Sequence, residues 1–309
     1  MALKGGDKED KTPPKNPRQA IMDRQIANFR NGTGILLNFH ITHHGGTTVC
    51  RELGYSLKRP SFACMGPKEL SEEERADFPK AAPWEYNKTG TNIDIIRRNY
   101  RFVAWEFRNP PKPKAPQMLD TNWDHPNLVS VIVMREPISR SLAGDGKMMR
   151  KYPTIWDKAG VASNNGTLED FWQFAQEPVH NNNYALRILS DSTCCNGSNT
   201  DVSYLEEATE FVSRFTFVID IACLGDSLQK LADVLGIELT QNTKSADSHH
   251  QHKTLEERIP YPKVLNYLKE KNKRDIELYE WSKTRSILDC SALEQQKVPA
   301  SDSKKKVPP

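Results

Sequence analysis

GILLNFHITHHGGTTVCREL, residues 34–53, is the stretch whose reading decides the fold. Gly34 to His40 is a mainly apolar run that reads as a buried parallel strand. Thr47 to Leu53 places Val49 and Leu53 on one face of a short helix. The paired glycines Gly45 and Gly46 lie between them. A strand that turns through glycines into a helix makes an anion cradle. The glycines let the backbone approach closely, the first helical amides have no intrahelical acceptor, and the helix dipole favours negative charge. The expectation is a grip on phosphate or sulfate.

Outward from this turn, strands and helices alternate. Phe102 to Phe107 (FVAWEF), Leu128 to Met134 (LVSVIVM) and Phe215 to Ile221 read as three more strands. Met22, Ile26 and Phe29 give residues 18–30 an amphipathic helical spacing, and Ile93 to Arg98 reads as a short helix. A helix is expected from Arg135 to about Lys151, and another opens at Thr167 with a capping-box pattern, burying Phe171, Phe174 and Ala175. Asn183 to Leu189 reads as helical. Asp226 or Ser227 caps a helix that turns Leu228, Leu231 and Leu235 inward and stops at Gly236. A long helix from Val264 to Ser282 breaks near Asn272. Residues 56–90 and the proline-rich loop from Asn109 read as irregular. The pattern predicts an α/β fold with a parallel sheet. Residues 18–288 form a single domain in this reading, with disordered segments at 1–17 and 289–309.

Composition narrows the function. The chain has 309 residues, 37% hydrophobic and 27% charged, which suits a globular protein. A net charge of +3 gives no electrostatic footprint for nucleic acid. The basic groups Arg97, Arg98, Arg101 and Lys147, Arg150, Lys151 read as solvated helix faces. No apolar run approaches the ~20 residues of a membrane span, so no transmembrane segment is expected. The first residues lack the apolar centre of a signal peptide. Asn31, Asn87, Asn165 and Asn196 open N-glycosylation sequons, and six cysteines without CxxC spacing suit a lumenal, disulfide-forming protein. Against that stands a cytoplasmic location, should the chain be complete as written.

The segment His40-Ile-Thr-His-His-Gly-Gly-Thr-Thr resembles the His-Ile-Pro-Lys-Thr-Gly-Gly-Thr-Thr turn of Golgi carbohydrate sulfotransferases related to heparan sulfate 2-O-sulfotransferase. Arg135-Glu-Pro-Ile-Ser-Arg resembles that family's Arg-Asp-Pro-x-x-Arg segment, and Asn182-Asn-Tyr-Ala-Leu-Arg-Ile-Leu its Asn-Tyr-x-x-Arg-x-Leu helix. The stretch from Phe217 to Gly236 and Asp275-Ile-Glu-Leu-Tyr also agree, so the likeness runs in order over roughly residues 33–285. The resemblance implies a P-loop-like sulfotransferase fold with about five parallel strands flanked by helices. It implies 3′-phosphoadenosine 5′-phosphosulfate (PAPS) as sulfuryl donor, a carbohydrate or other hydroxyl acceptor, and no metal.

The same resemblance places His44, Gly45, Gly46, Thr47 and Thr48 at the 5′-phosphosulfate, and Arg135 at the 3′-phosphate. His43 stands where the family has lysine, so it supplies a cation only when protonated, or donates to the leaving oxygen. Ala143 stands where the family usually has serine, at a cost of about 0.5–1.5 kcal/mol in hydrogen bonding. Ser139 or Ser141 substitutes, with Ser139 preferred because it is nearer the strand end. Glu106, flanked by aromatics at the end of the second strand, is the candidate general base. Asn183, Tyr184 and Arg187 are candidates for the acceptor side, with a core-facing Tyr184 as the competing reading.

Three rival functions remain at this stage. A kinase or NTPase would normally show the lysine of G-x-x-x-x-G-K-[ST], which is missing here. A non-catalytic relative would bind nucleotide or glycan without transfer. A metal site would use His40, His43 and His44, or His249, His250 and His252.

Overall fold

The computed structural model describes residues 17–57, 93–107, 121–144, 146–156, 162, 165–190, 202–239 and 254–297. In chain order the elements are α1 (Pro17–Arg30), β1 (Ile35–Ile41), α2 (Gly46–Ser56), α3 (Ile93–Asn99), β2 (Phe102–Phe107), β3 (Leu128–Met134), α4 (Pro137–Ser141), α5 (Gly146–Lys151), α6 (Leu168–Ala175), α7 (Tyr184–Leu189), α8 (Val202–Ser213), β4 (Phe217–Asp220), a 3₁₀ turn (Ile221–Cys223), α9 (Leu224–Leu235), α10 (Leu255–Arg258), α11 (Pro262–Lys271), α12 (Lys273–Lys283) and α13 (Cys290–Lys297).

The sheet is parallel throughout, in the order β2-β1-β3-β4. It has four strands among the described residues, where about five were expected. Every residue of β3 is buried, as expected of a run rich in Val and Ile that is covered on both faces. One face packs Leu37, Phe39 and Ile132 against Leu186 of α7, Phe211 of α8 and Leu278 of α12. The other packs Leu36, Val129 and Val131 against Phe29 of α1, Val49 and Leu53 of α2, and Leu228 and Leu231 of α9. Each such side chain contributes roughly 1.5–3 kcal/mol on burial. A third cluster, beside the sheet, joins α4–α6 to α11 through Ile138, Trp156, Phe174 and Leu265.

This order positions the site. From β1 the chain continues to β2 on one side, and from β3 to β4 on the other. The crevice outside the carboxyl ends of β1 and β3 is therefore a topological switch point, where open α/β sheets bind ligands.

Several expectations are corrected. The helix expected from Arg135 to Lys151 is two, α4 and α5, because Gly144 turns at φ +63° with the Trp156 indole packed over it. Any Cβ there would lie 2.8 Å from Trp156 Nε1. α9 begins at Leu224 with Cys223 as its cap, so Asp226 and Ser227 lie inside its first turn. On α1 the buried polar residue is Gln25, which donates to the Trp123 carbonyl at 2.8 Å and accepts from Thr216 Oγ1 at 2.9 Å. The segment from 289, expected to be a disordered tail, contains α13, and Cys290 is bonded to Cys223. The capping box of Thr167 and Asp170, the stop at Gly236 and the break at Asn272 stand where the sequence places them. No helix among the described residues is long and apolar enough to cross a membrane. Residues 1–16, 56–90 beyond Leu57, the loop from Asn109 and the histidines at 249–252 fall outside the described residues.

Candidate active site

β1 ends at Ile41 and the chain reverses through Thr42–Gly45 into α2. Two residues of this turn take positive φ, His43 at 67° and Gly45 at 75°. The His44 amide donates back to the Ile41 carbonyl at 3.0 Å, and the amides of Thr48 and Val49 both donate to the Gly45 carbonyl. The amides of Gly45 and Gly46 donate to no group among the described residues. They open at the carboxyl end of the sheet, at the positive end of α2.

Each glycine answers a different neighbour. A Cβ on Gly45 would lie 3.0 Å from Leu224 Cδ2 and 3.3 Å from Ile221 Cδ1. A Cβ on Gly46 would overlap the His40 imidazole at Cδ2, Nε2 and Cε1. The cradle is thus walled by the 3₁₀ turn after β4 on one side and by the last residues of β1 on the other.

Arg135 follows β3 directly and reaches this turn. Its Nη1 donates to the His43 carbonyl at 2.7 Å, tying the two motif segments together. Burial, followed by the nearby Arg258 and Arg140 guanidiniums, pushes the Arg135 pKa down to about 10, so it stays cationic at neutral pH. Arg258, at the end of α10, donates from Nη2 to Ser139 Oγ at 2.5 Å. Burial lowers its pKa too, and its Nε is buried with no hydrogen-bond partner. Glu136 is the anion of this neighbourhood, but its carboxylate caps α4 by accepting from Ile138 N at 3.0 Å and Ser139 N at 2.6 Å. The amides that open α4 are therefore occupied, and an anion placed here meets guanidiniums.

The structure brings His43, Gly45, Gly46, Arg135 and Ser139 to this crevice. Thr47 and Thr48 lie in the first turn of α2, and Thr48 is half-buried. Glu106 is placed by its backbone, which pairs in register with His40 across β1 and β2.

Other expected site residues are elsewhere. His44 is buried, and its Nδ1 lies 2.9 Å from the Val133 carbonyl. Burial holds its pKa well below the ordinary value, so the ring is neutral and Nδ1 carries the proton that Val133 accepts. The side chain is a brace between the turn and β3 and is no donor ligand. Asn183, Tyr184 and Arg187, expected to face an acceptor, are buried as well. Asn183 Oδ1 accepts from the amides of Arg274 and Asp275 at 3.1 and 3.0 Å, opening α12. Asp275 in turn accepts from the amides of Ala185 and Leu186 at 2.9 and 2.8 Å, opening α7. Arg187 donates to the Val179 carbonyl at 2.7 Å. Tyr184 lies under the Arg140 guanidinium, 3.8 Å from ring centroid to Cζ, so its core-facing reading holds.

Sequence reasoning missed Arg258 and the part His40 plays. Arg258 sits 119 residues from Ser139, and no local spacing signals that meeting. His40 carried a signal only through the adjacent glycine pair. Among the described residues no three His, Cys, Asp or Glu side chains gather into a metal-binding group, and His40, His43 and His44 do not form one.

Disulfides stand beside the site. Cys223, in the 3₁₀ turn that walls Gly45, is bonded to Cys290, and Cys50 of α2 is also disulfide-bonded. Comparison with known protein families finds none that matches the chain, and comparison with curated proteins finds no match.

Proposed function

We propose that this protein is a PAPS-dependent sulfotransferase with a P-loop-like fold, transferring a sulfuryl group to a hydroxyl, in the first place that of a carbohydrate. One observation carries the reading. Arg135 bonds to the His43 carbonyl, so the glycine cradle and the second motif face one crevice at the switch point of a parallel sheet. The open amides of Gly45 and Gly46 suit the 5′-phosphosulfate. Arg135, Arg258 and Ser139 suit the 3′-phosphate, because guanidiniums bind phosphate in a bidentate fork.

In this mechanism donor charge is neutralised by the cradle and the arginines. The acceptor oxygen approaches sulfur in line. Glu106 takes the hydroxyl proton as the new oxygen–sulfur bond forms and the bond from sulfur to the 5′-phosphate oxygen breaks. The nucleotide leaves as adenosine 3′,5′-bisphosphate. Positioning and charge stabilisation do most of the work. Disulfides at Cys50 and at Cys223–Cys290, with the sequons, favour an oxidising Golgi-type lumen.

The second reading is a non-catalytic nucleotide- or glycan-binding relative. It is favoured by His43, which offers no permanent cation beside the leaving oxygen. Calorimetry with adenosine 3′,5′-bisphosphate, then transfer of labelled sulfate from PAPS to a glycan panel, separates the two. Nucleotide binding with transfer supports the enzyme. Binding without transfer to any acceptor supports the relative, and no binding overturns both nucleotide readings.

A further inference from the structure

We propose that His40 and Gly46 are a steric pair, and that the His40 imidazole is a positioning residue that fixes the open amides of the cradle. The inference rests on the donor reading above and names a residue that reading leaves out.

His40 is next to last in β1, and its ring packs where a side chain on Gly46 would stand. Gly46 does not need glycine for its backbone angle, because its φ lies outside the left-handed region that Gly45 occupies. An alanine there is also a better helix former than glycine. The neighbouring ring therefore accounts for the absence of a side chain. The contact is made at the first residue of α2, where the amide is open toward the crevice. A ring seated on the Cα of Gly46 limits how that peptide can tilt, and so limits where the amide points. His40 also pairs in register with Glu106. The same residue thus meets the cradle through its ring and β2, the strand that carries the candidate base, through its backbone.

The pair predicts a change of sign. In the wild-type background Gly46→Ala must displace the ring, so it should lower the melting temperature and weaken binding of adenosine 3′,5′-bisphosphate by about tenfold or more. In a His40→Ala background the same alanine meets no ring, and helix propensity makes it neutral or stabilising. His40→Ala alone should weaken nucleotide binding while the protein stays folded. His40→Phe keeps a planar ring, slightly larger and without nitrogens, and should hold affinity within about threefold of wild type, well under one tenfold step.

Calorimetry and thermal unfolding on the single and double variants decide it. Harmless Gly46→Ala in the wild-type background overturns the pair, as does equal harm with and without His40. Loss in His40→Phe as deep as in His40→Ala overturns the steric role. Failure of wild type to bind the nucleotide overturns the donor reading and the positioning role with it. The melting-temperature cycle then still reports on the contact itself, so the two failures are distinguishable.

Discussion

Two turns set a non-glycine residue in the left-handed region ahead of a helix, His43 at φ 67° before α2 and Asn183 at φ 42° before α7. Each costs about 1–3 kcal/mol that its surroundings must offset. The surroundings differ. After Asn183 the helix-opening amides are matched in pairs, since Asp275 takes those of Ala185 and Leu186 while Asn183 itself takes those of Arg274 and Asp275. After His43 the Gly45 and Gly46 amides meet no acceptor among the described residues, and the nearby cations Arg135 and Arg258 bond to neutral oxygens. Strain alone therefore does not mark a ligand site. At His43 the strain stands beside open amides and two guanidiniums whose own hydrogen bonds go to neutral oxygens. The Asn183 turn is a reciprocal lock between two helices, whereas the His43 turn leaves its donors open, as the proposed donor site requires.

The lock should show the largest effect on stability. Asp275→Ala removes the acceptor of two buried amides and the carboxylate beside Arg140 and Arg187. Uncompensated buried charge of this kind costs about 3–5 kcal/mol, to be read from the urea midpoint. The protein that remains folded should bind adenosine 3′,5′-bisphosphate normally. An unchanged midpoint with lost binding would invert the comparison. At the open turn the balance is reversed. Arg135→Ala should weaken that nucleotide about a hundredfold, near 2.8 kcal/mol. Its stability cost should be about 1 kcal/mol, that of one hydrogen bond to a carbonyl. Calorimetry beside thermal melts checks both halves.

The sheet was legible because its strands are short, apolar and β-branched, and burial on both faces demands that composition. The cradle was legible because glycines, a strand end and a helix start are adjacent in sequence. What failed depended on partners far along the chain. His44 looks like a polar turn residue until Val133, 89 residues away, is placed beside it. Asn183, Tyr184 and Arg187 look like surface chemistry until Asp275 arrives from 90 residues away. The break at Gly144 needs the Trp156 ring, and the helix at Cys290 needs its bond to Cys223. Polarity is local information, whereas burial is not.

Arg258 sharpens the open turn further. If it reads a 3′-phosphate beside Ser139, Arg258→Gln should lose about tenfold in affinity for adenosine 3′,5′-bisphosphate, near 1.4 kcal/mol. Adenosine 5′-phosphate, which lacks that group, should bind wild type and variant alike. Equal losses for both nucleotides would show a general packing defect. No loss for either would remove Arg258 from the site.

The smallest expected effect concerns His44, which lies within the cradle turn yet belongs with the scaffold. Its folded pKa is depressed by burial, so as pH falls the unfolded chain takes the proton first. The stability it confers is complete above the unfolded value of about 6.5 and is lost as the pH drops below it. One proton changes stability by at most about 1.4 kcal/mol per pH unit. Between pH 6.5 and 5.5 wild type should thus lose more stability than His44→Asn, whose amide can still donate toward Val133 without titrating. Urea unfolding at the two pH values measures the difference. Parallel losses in the two proteins would mean that the ring accepts a proton while folded, and His44 would then move from the locked side of the comparison to the open one.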